Sequence, residues 1–103
     1  MDAPVNVAVV GATGAVGETL LEILSERSFP VEHLYALASE RSAGNTVLFR
    51  NRAVNVERLD EFDFAKVDIA FFSAGGHVSA EFAPRAVEKG CVVIDNTSHF
   101  RND

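Results

Sequence analysis

Only one cysteine, Cys91, stands among these 103 residues, so no internal disulfide can form. With no signal peptide at the start, this predicts a reducing, cytoplasmic setting. No apolar run is long enough to span a bilayer, which argues against a membrane partner. Positive charge is also scarce: 9 Lys and Arg stand against 15 Asp and Glu, for a net charge of −6. Without a basic stripe, nucleic acid is excluded as a partner. The acidic residues are spread along the chain rather than gathered in a tail, so they name no partner. Metal-ligand spacing, internal repeats and low-complexity segments are all missing. A hydrophobic fraction of 48% and a charged fraction of 23% are ordinary for a soluble globular protein. At this length the expectation is one domain over residues 1–103, too small to carry both a cofactor domain and a substrate domain.

Against this background one stretch stands out. Val7-Ala8-Val9-Val10 runs directly into Gly11-Ala12-Thr13-Gly14-Ala15-Val16-Gly17, with glycines spaced three apart and a helical pattern following at once. This predicts a strand, a tight turn and a helix start. Glycine allows positive φ and close approach without a Cβ. The free amides and dipole of a helix's first turn favour an anion such as pyrophosphate. The G-x-x-G-x-x-G spacing is a variant of the commoner dinucleotide motif, and a motif alone is a weak signal.

Downstream, Val16, Leu20, Ile23 and Leu24 recur at helical spacing, with Glu18, Glu22 and Glu26 on the other face. Pro30 restricts Phe29 to extended backbone, and residues 31–37 read as a second strand. A polar loop, residues 39–45, follows. Residues 46–49 and 53–56 suggest a hairpin around Arg50-Asn51-Arg52. Residues 57–66 read as a loop or short helical turn, and 68–72 as a buried strand. Residues 78–89 read as a helix with Val78, Phe82 and Val87 facing inward, Pro84 inside it and Gly90 as its C-cap. Val92-Val93-Ile94 reads as another buried strand. Apolar strands alternating with helical segments predict an α/β fold: a Rossmann-like, doubly wound, mostly parallel sheet with helices on both faces. Ligands in such sheets sit outside the carboxyl ends of the strands. The glycine turn, residues 39–45, residues 73–77 and residues 96–101 should therefore line one edge.

Ser39-Glu40-Arg41-Ser42 closes the second strand. Arg41 with the two hydroxyls suits the 2′-phosphate of NADP, while Glu40 leaves NAD open as the alternative. Ser73-Ala74-Gly75-Gly76 either lets backbone approach a cofactor or merely connects strand to helix. Arg101 either clamps a phosphate or carboxylate or is a surface charge. Cys91 precedes its strand, on the side of the sheet away from the crevice, and is expected to be structural. His33, His77 and His99 have no partner carboxylate in sequence and carry no catalytic expectation.

Four segments together resemble the N-terminal domain of aspartate-semialdehyde dehydrogenase: residues 9–17, Ala38-Ser39-Glu40-Arg41-Ser42-Ala43-Gly44, Phe72-Ser73-Ala74-Gly75-Gly76 and residues 93–101. The resemblance implies NADP(H)-dependent interconversion of L-aspartyl 4-phosphate and aspartate 4-semialdehyde, in the biosynthesis of lysine, methionine, threonine and isoleucine. It implies that Gly11, Thr13, Gly14, Ala15 and Val16 hold the pyrophosphate. Ser39, Arg41 and Ser42 would hold the 2′-phosphate, Ser73, Ala74 and Gly75 would border the nicotinamide, and Arg101 would grip the acyl phosphate of the substrate. His99 and Thr97 depart from the family's usual residues. The family's thiol nucleophile and acid/base histidine lie downstream of this segment, so the chain is expected to be a truncated domain, silent in catalysis, whose complete enzyme is a homodimer. Two other readings remain: a stand-alone nucleotide-binding or regulatory module, and a related acyl-phosphate reductase such as the N-acetyl-glutamyl-phosphate enzyme, which the two loops match less well.

Overall fold

Alternate side chains of the first strand feed two separate cores. In the computed structural model, which describes residues 4–27, 30–73 and 76–95, strand β1 (Val5–Val10) has neighbours on both sides, and residues 7–10 have no solvent exposure. Val7 and Val9 point to one face and pack with Leu21, Leu24, Ala36 and Phe71. Ala8 and Val10 point to the other and pack with Leu37, Phe72, Phe82 and Ala86. A strand apolar on both faces is what a sheet covered by helices on both sides demands.

The other strands are β2 (Val31–Ala38), β3 (Thr46–Phe49), β4 (Arg52–Arg58), β5 (Ile69–Phe72) and β6 (Val92–Asp95). Helices α1 (Ala15–Glu26) and α2 (Gly76–Glu88) connect β1 to β2 and β5 to β6. The spatial order is β3-β4-β2-β1-β5-β6, and every pairing is parallel except β3 with β4. From β1 the chain moves outward to β2. It later returns to the far side of β1 to build β5 and then β6. The strand order thus reverses between β1 and β5, where doubly wound sheets open a ligand crevice.

The expected hairpin forms, with Phe49 opposite Arg52. Arg50 and Asn51 both have positive φ, 53° and 65°, as in a two-residue turn whose twist matches the flanking strands. The Ser25 hydroxyl accepts from the Arg50 amide at 2.8 Å and ties the turn to α1. Glu57 and Arg58 belong to β4 rather than to a loop, and two 3-10 turns, Leu59–Glu61 and Phe64–Lys66, cover the return to β5.

Three expectations about burial are corrected. Ile23 is 42% exposed, and Leu21 takes the inner position beside Leu24. Val87 is 60% exposed, and Ala86 faces the core instead. In both helices the phase of the buried stripe is set by its other members: Leu21 lies four residues after Gly17 and three before Leu24, and Ala86 lies four after Phe82, whereas Ile23 and Val87 fall off those faces. Strand β6 is not buried: it pairs only with β5 among the described residues, and Val92 and Ile94 are 59% and 38% exposed. An edge position, rather than its composition, decides its exposure.

Candidate cofactor-binding site

The glycine turn is built around two backbone requirements. Gly11 has φ of 84°, the left-handed conformation that turns the chain out of β1. Its amide and that of Ala12 donate to the Leu37 carbonyl at 2.8 and 3.2 Å, holding the turn against β2. Gly17 sits where α1 crosses this turn, and a Cβ there would overlap the Gly11 carbonyl oxygen and lie 2.9 Å from the Ala12 Cα. Gly14 differs: among the described residues, an added Cβ would meet only the Gly11 oxygen at 3.5 Å, an ordinary contact. Gly17 serves the packing of helix on strand, whereas the space over Gly14 is left free by the described residues.

Gly14 is also the N-cap of α1, and no side chain caps this helix. Among the described residues, no carbonyl outside the helix accepts from the amides of Ala15, Val16 or Gly17, while Glu18 N already bonds the Gly14 carbonyl at 2.9 Å. Uncapped first-turn amides beside open space form an anion site. The donor set therefore fits a pyrophosphate.

A cavity of about 450 Å³ opens next to this turn. Val10, Gly11, Thr13 and Gly14 line it from β1, and Ala38, Ser39, Glu40 and Ser42 from the end of β2. Leu59 and Asp60 enter after β4, Ser73 after β5, and Val78 and Phe82 from α2. All but the α2 residues sit at or just past the carboxyl ends of their strands. The Ser73 hydroxyl donates to the Val10 carbonyl at 2.7 Å, and its amide bonds the same oxygen at 2.9 Å, fastening β5 to β1 at the reversal point. Across the mouth, the hydroxyls of Thr13 and Ser42 stand 3.5 Å apart.

The structure thus brings together Gly11, Thr13, Gly14, Ser39, Ser42 and Ser73 from the sequence-derived set. Ala15 and Val16 do not line the cavity; they follow Gly14, which does, in the first turn of α1. Arg41 is exposed and off the lining, with no ion pair to any described residue, while its neighbour Glu40 borders the cavity. Ala74, Gly75 and Arg101, together with Thr97 and His99, lie outside the described residues.

Sequence reasoning missed Leu59 and Asp60 as site residues and read Val78 and Phe82 as packing only. The signal for the first pair was present. Once β4 is seen to run parallel to β2, the residues after it fall under the same carboxyl-end rule. Asp60 is held in a bidentate pair by Arg58, with Nε–Oδ1 at 3.0 Å and Nη2–Oδ2 at 2.8 Å. The hydrogen bond from Arg58 keeps the Asp60 carboxyl below the usual carboxylate range. Arg58 also reaches Glu61 at 3.5 Å and Glu40 at 3.8 Å.

Cys91 lies far from this edge. It is 7% exposed at the amino end of β6, with its sulfur 3.1 Å from the Phe64 carbonyl and 3.3 Å from that of Val67. Burial pushes its thiol pKa up, with the nearby Asp68 carboxylate adding to the shift, the opposite of what an activated nucleophile needs. Among the described residues, no group of three or more His, Cys, Asp or Glu could hold a metal, and no helix is long and apolar enough to cross a membrane.

Known proteins share both sequence and shape with this chain. The family model for the semialdehyde dehydrogenase NAD binding domain matches residues 6–103. An aspartate-semialdehyde dehydrogenase of Legionella pneumophila is 63% identical over 101 residues, covering 98% of this chain but 29% of that protein. The solved aspartate semialdehyde dehydrogenase II of Vibrio cholerae, complexed with ASA, superposes with a TM-score of 0.89 at 61% identity, over 97% of this chain and 33% of that one. The enzyme from Candida albicans, solved with NADP, gives 0.77 at 25% identity, over 98% and 32%. The chain spans about a third or less of each. With the family model matching residues 6–103, nearly the whole chain, the chain belongs to the family of semialdehyde dehydrogenase NAD-binding domains.

Proposed function

We propose that this chain is the NADP(H)-binding domain, residues 1–103, of a cytoplasmic aspartate-semialdehyde dehydrogenase. One observation carries the reading: an uncapped helix N-terminus, with free space over Gly14, opens on a cavity at the reversal point of the sheet. The amides of Ala15 and Val16, the backbone of Gly11 and Gly14 and the Thr13 hydroxyl would hold the pyrophosphate. Ser39, Ser42 and Arg41 would take the 2′-phosphate, with the Arg41 side chain swinging in from its exposed position on binding. Ser73, with Ala74 and Gly75, would border the nicotinamide, and Arg101 would clamp the substrate's acyl phosphate. The cofactor would supply the hydride acceptor or donor for the substrate's aldehyde-level carbon once a nucleophile holds it. The preference for NADP draws support from the Candida albicans relative solved with NADP.

Phosphorylating oxidation of an aldehyde also needs a nucleophile to hold the acyl group, and Cys91, buried with its thiol pKa raised, does not supply one. The chain binds cofactor and is silent in catalysis. In the complete enzyme, a homodimer, the nucleophile and acid/base come from sequence beyond Asp103. The test is the reading frame and its product. A frame continuing into a cysteine-bearing segment, whose product reduces NADP in the presence of aspartate semialdehyde and phosphate, is expected, with no reduction by residues 1–103 alone. A frame ending at Asp103, or turnover by the 103-residue chain, contradicts it.

A further inference from the structure

The charge arrangement on the β2–β4 side of the cavity has a consequence for which dinucleotide the site accepts. A carboxylate just past the second strand ordinarily accepts a hydrogen bond from the ribose 2′-hydroxyl and so selects NAD, while a 2′-phosphate needs positive charge there. Here two carboxylates, Glu40 and Asp60, border the cavity, and Arg41, the cation next to Glu40 in sequence, lies off its lining. Left alone, that pair would repel a phosphate dianion. The Arg58 guanidinium stands between them, bidentate on Asp60 and 3.8 Å from Glu40.

We propose that Arg58 is a specificity-positioning residue: by occupying Asp60 and drawing Glu40 towards itself, it removes the ribose acceptor and offsets part of the rim's negative charge, which eases the approach of a 2′-phosphate. It acts through these carboxylates rather than by touching the cofactor. This role rests on the proposed NADP site and refines it. At the ends of long side chains in water such a network is individually weak, and its effect on a nearby dianion is correspondingly moderate and screened by salt.

The experiment measures Kd for NADP and for NAD on the full chain, wild type and Arg58→Gln, at low and high salt. Arg58→Gln is expected to lower the ratio of NADP to NAD affinity about two- to fivefold at low salt. The loss should shrink at high salt, and Arg58→Lys should restore part of the ratio. Adding Glu40→Gln to Arg58→Gln should recover much of the loss, which a purely structural role for Arg58 would not produce. An unchanged ratio in Arg58→Gln, or a double variant no better than the single, overturns the inference. These outcomes separate from the parent reading. A wild type that prefers NAD refutes the proposed NADP selectivity, while the ratio change on substitution still decides the role of Arg58. Failure of the wild type to bind either dinucleotide overturns both.

Discussion

Three glycines three residues apart look alike in sequence, and the structure gives them three different duties. Gly11 turns the chain with positive φ, Gly14 leaves space at the helix N-terminus, and Gly17 admits the helix against the turn. The consequence is a graded response to one added methyl. Gly17→Ala forces the Gly11 carbonyl or the whole of α1 to move, and should cost about 2–3 kcal/mol in urea unfolding, within the range for overpacked sites. Gly14→Ala meets only ordinary contact and should stay within about 1 kcal/mol of wild type. Equal losses at both positions would contradict this division. Arg41 permits a second residue-level test. If its guanidinium reaches the 2′-phosphate, Arg41→Ala weakens NADP about tenfold or more and leaves NAD within about twofold, since only the former carries that phosphate. Titration with both cofactors reads this directly, and parallel losses would remove Arg41 from the discrimination.

At the level of elements, the parts with strong local signals were legible in sequence: the apolar strands β1, β2 and β5, the two helices and the β3–β4 hairpin. The hairpin rests on Arg50 and Asn51 in the left-handed region, where a β-branched side chain is strained. Asn51→Val should therefore destabilise by about 1–2 kcal/mol, and Asn51→Gly should be neutral or slightly stabilising. Thermal melts that fail to rank Gly at or above Asn, with Val below both, would exclude this turn geometry. What could not be read was set by three-dimensional neighbourhood. The inward stripes of α1 and α2 run through Leu21 and Ala86 rather than Ile23 and Val87, because packing fixes the rotation of each helix about its axis through Gly17, Leu24 and Phe82. The openness of β6 depends on which strand stands beside it, and a run such as Val92-Val93-Ile94 has the same composition at an edge or in the centre. Leu59 and Asp60 joined the site only once β4 was known to run parallel to β2.

For the molecule as a whole, the sheet reversal gathers chain segments distant in sequence onto one edge, which is how a weak glycine pattern becomes one wall of a defined cavity. The opposite edge holds Cys91, buried against the second 3-10 turn, so the only thiol packs on the far side of the sheet from the cavity, with its pKa raised by burial. The chain supplies a floor for the hydride carrier and, by the proposal above, leaves the acyl-transfer machinery to sequence beyond it. That account stands on the free space over Gly14 being a ligand's space. The most direct measurement is a calorimetric titration of NADPH into the wild-type chain and into Gly14→Val, with circular dichroism run on both. The account predicts saturable binding by the wild type, tighter for NADPH than for NADH, and a folded Gly14→Val variant that binds neither, because the branched side chain enters the pyrophosphate's place. A folded Gly14→Val variant that binds NADPH as well as the wild type would contradict it.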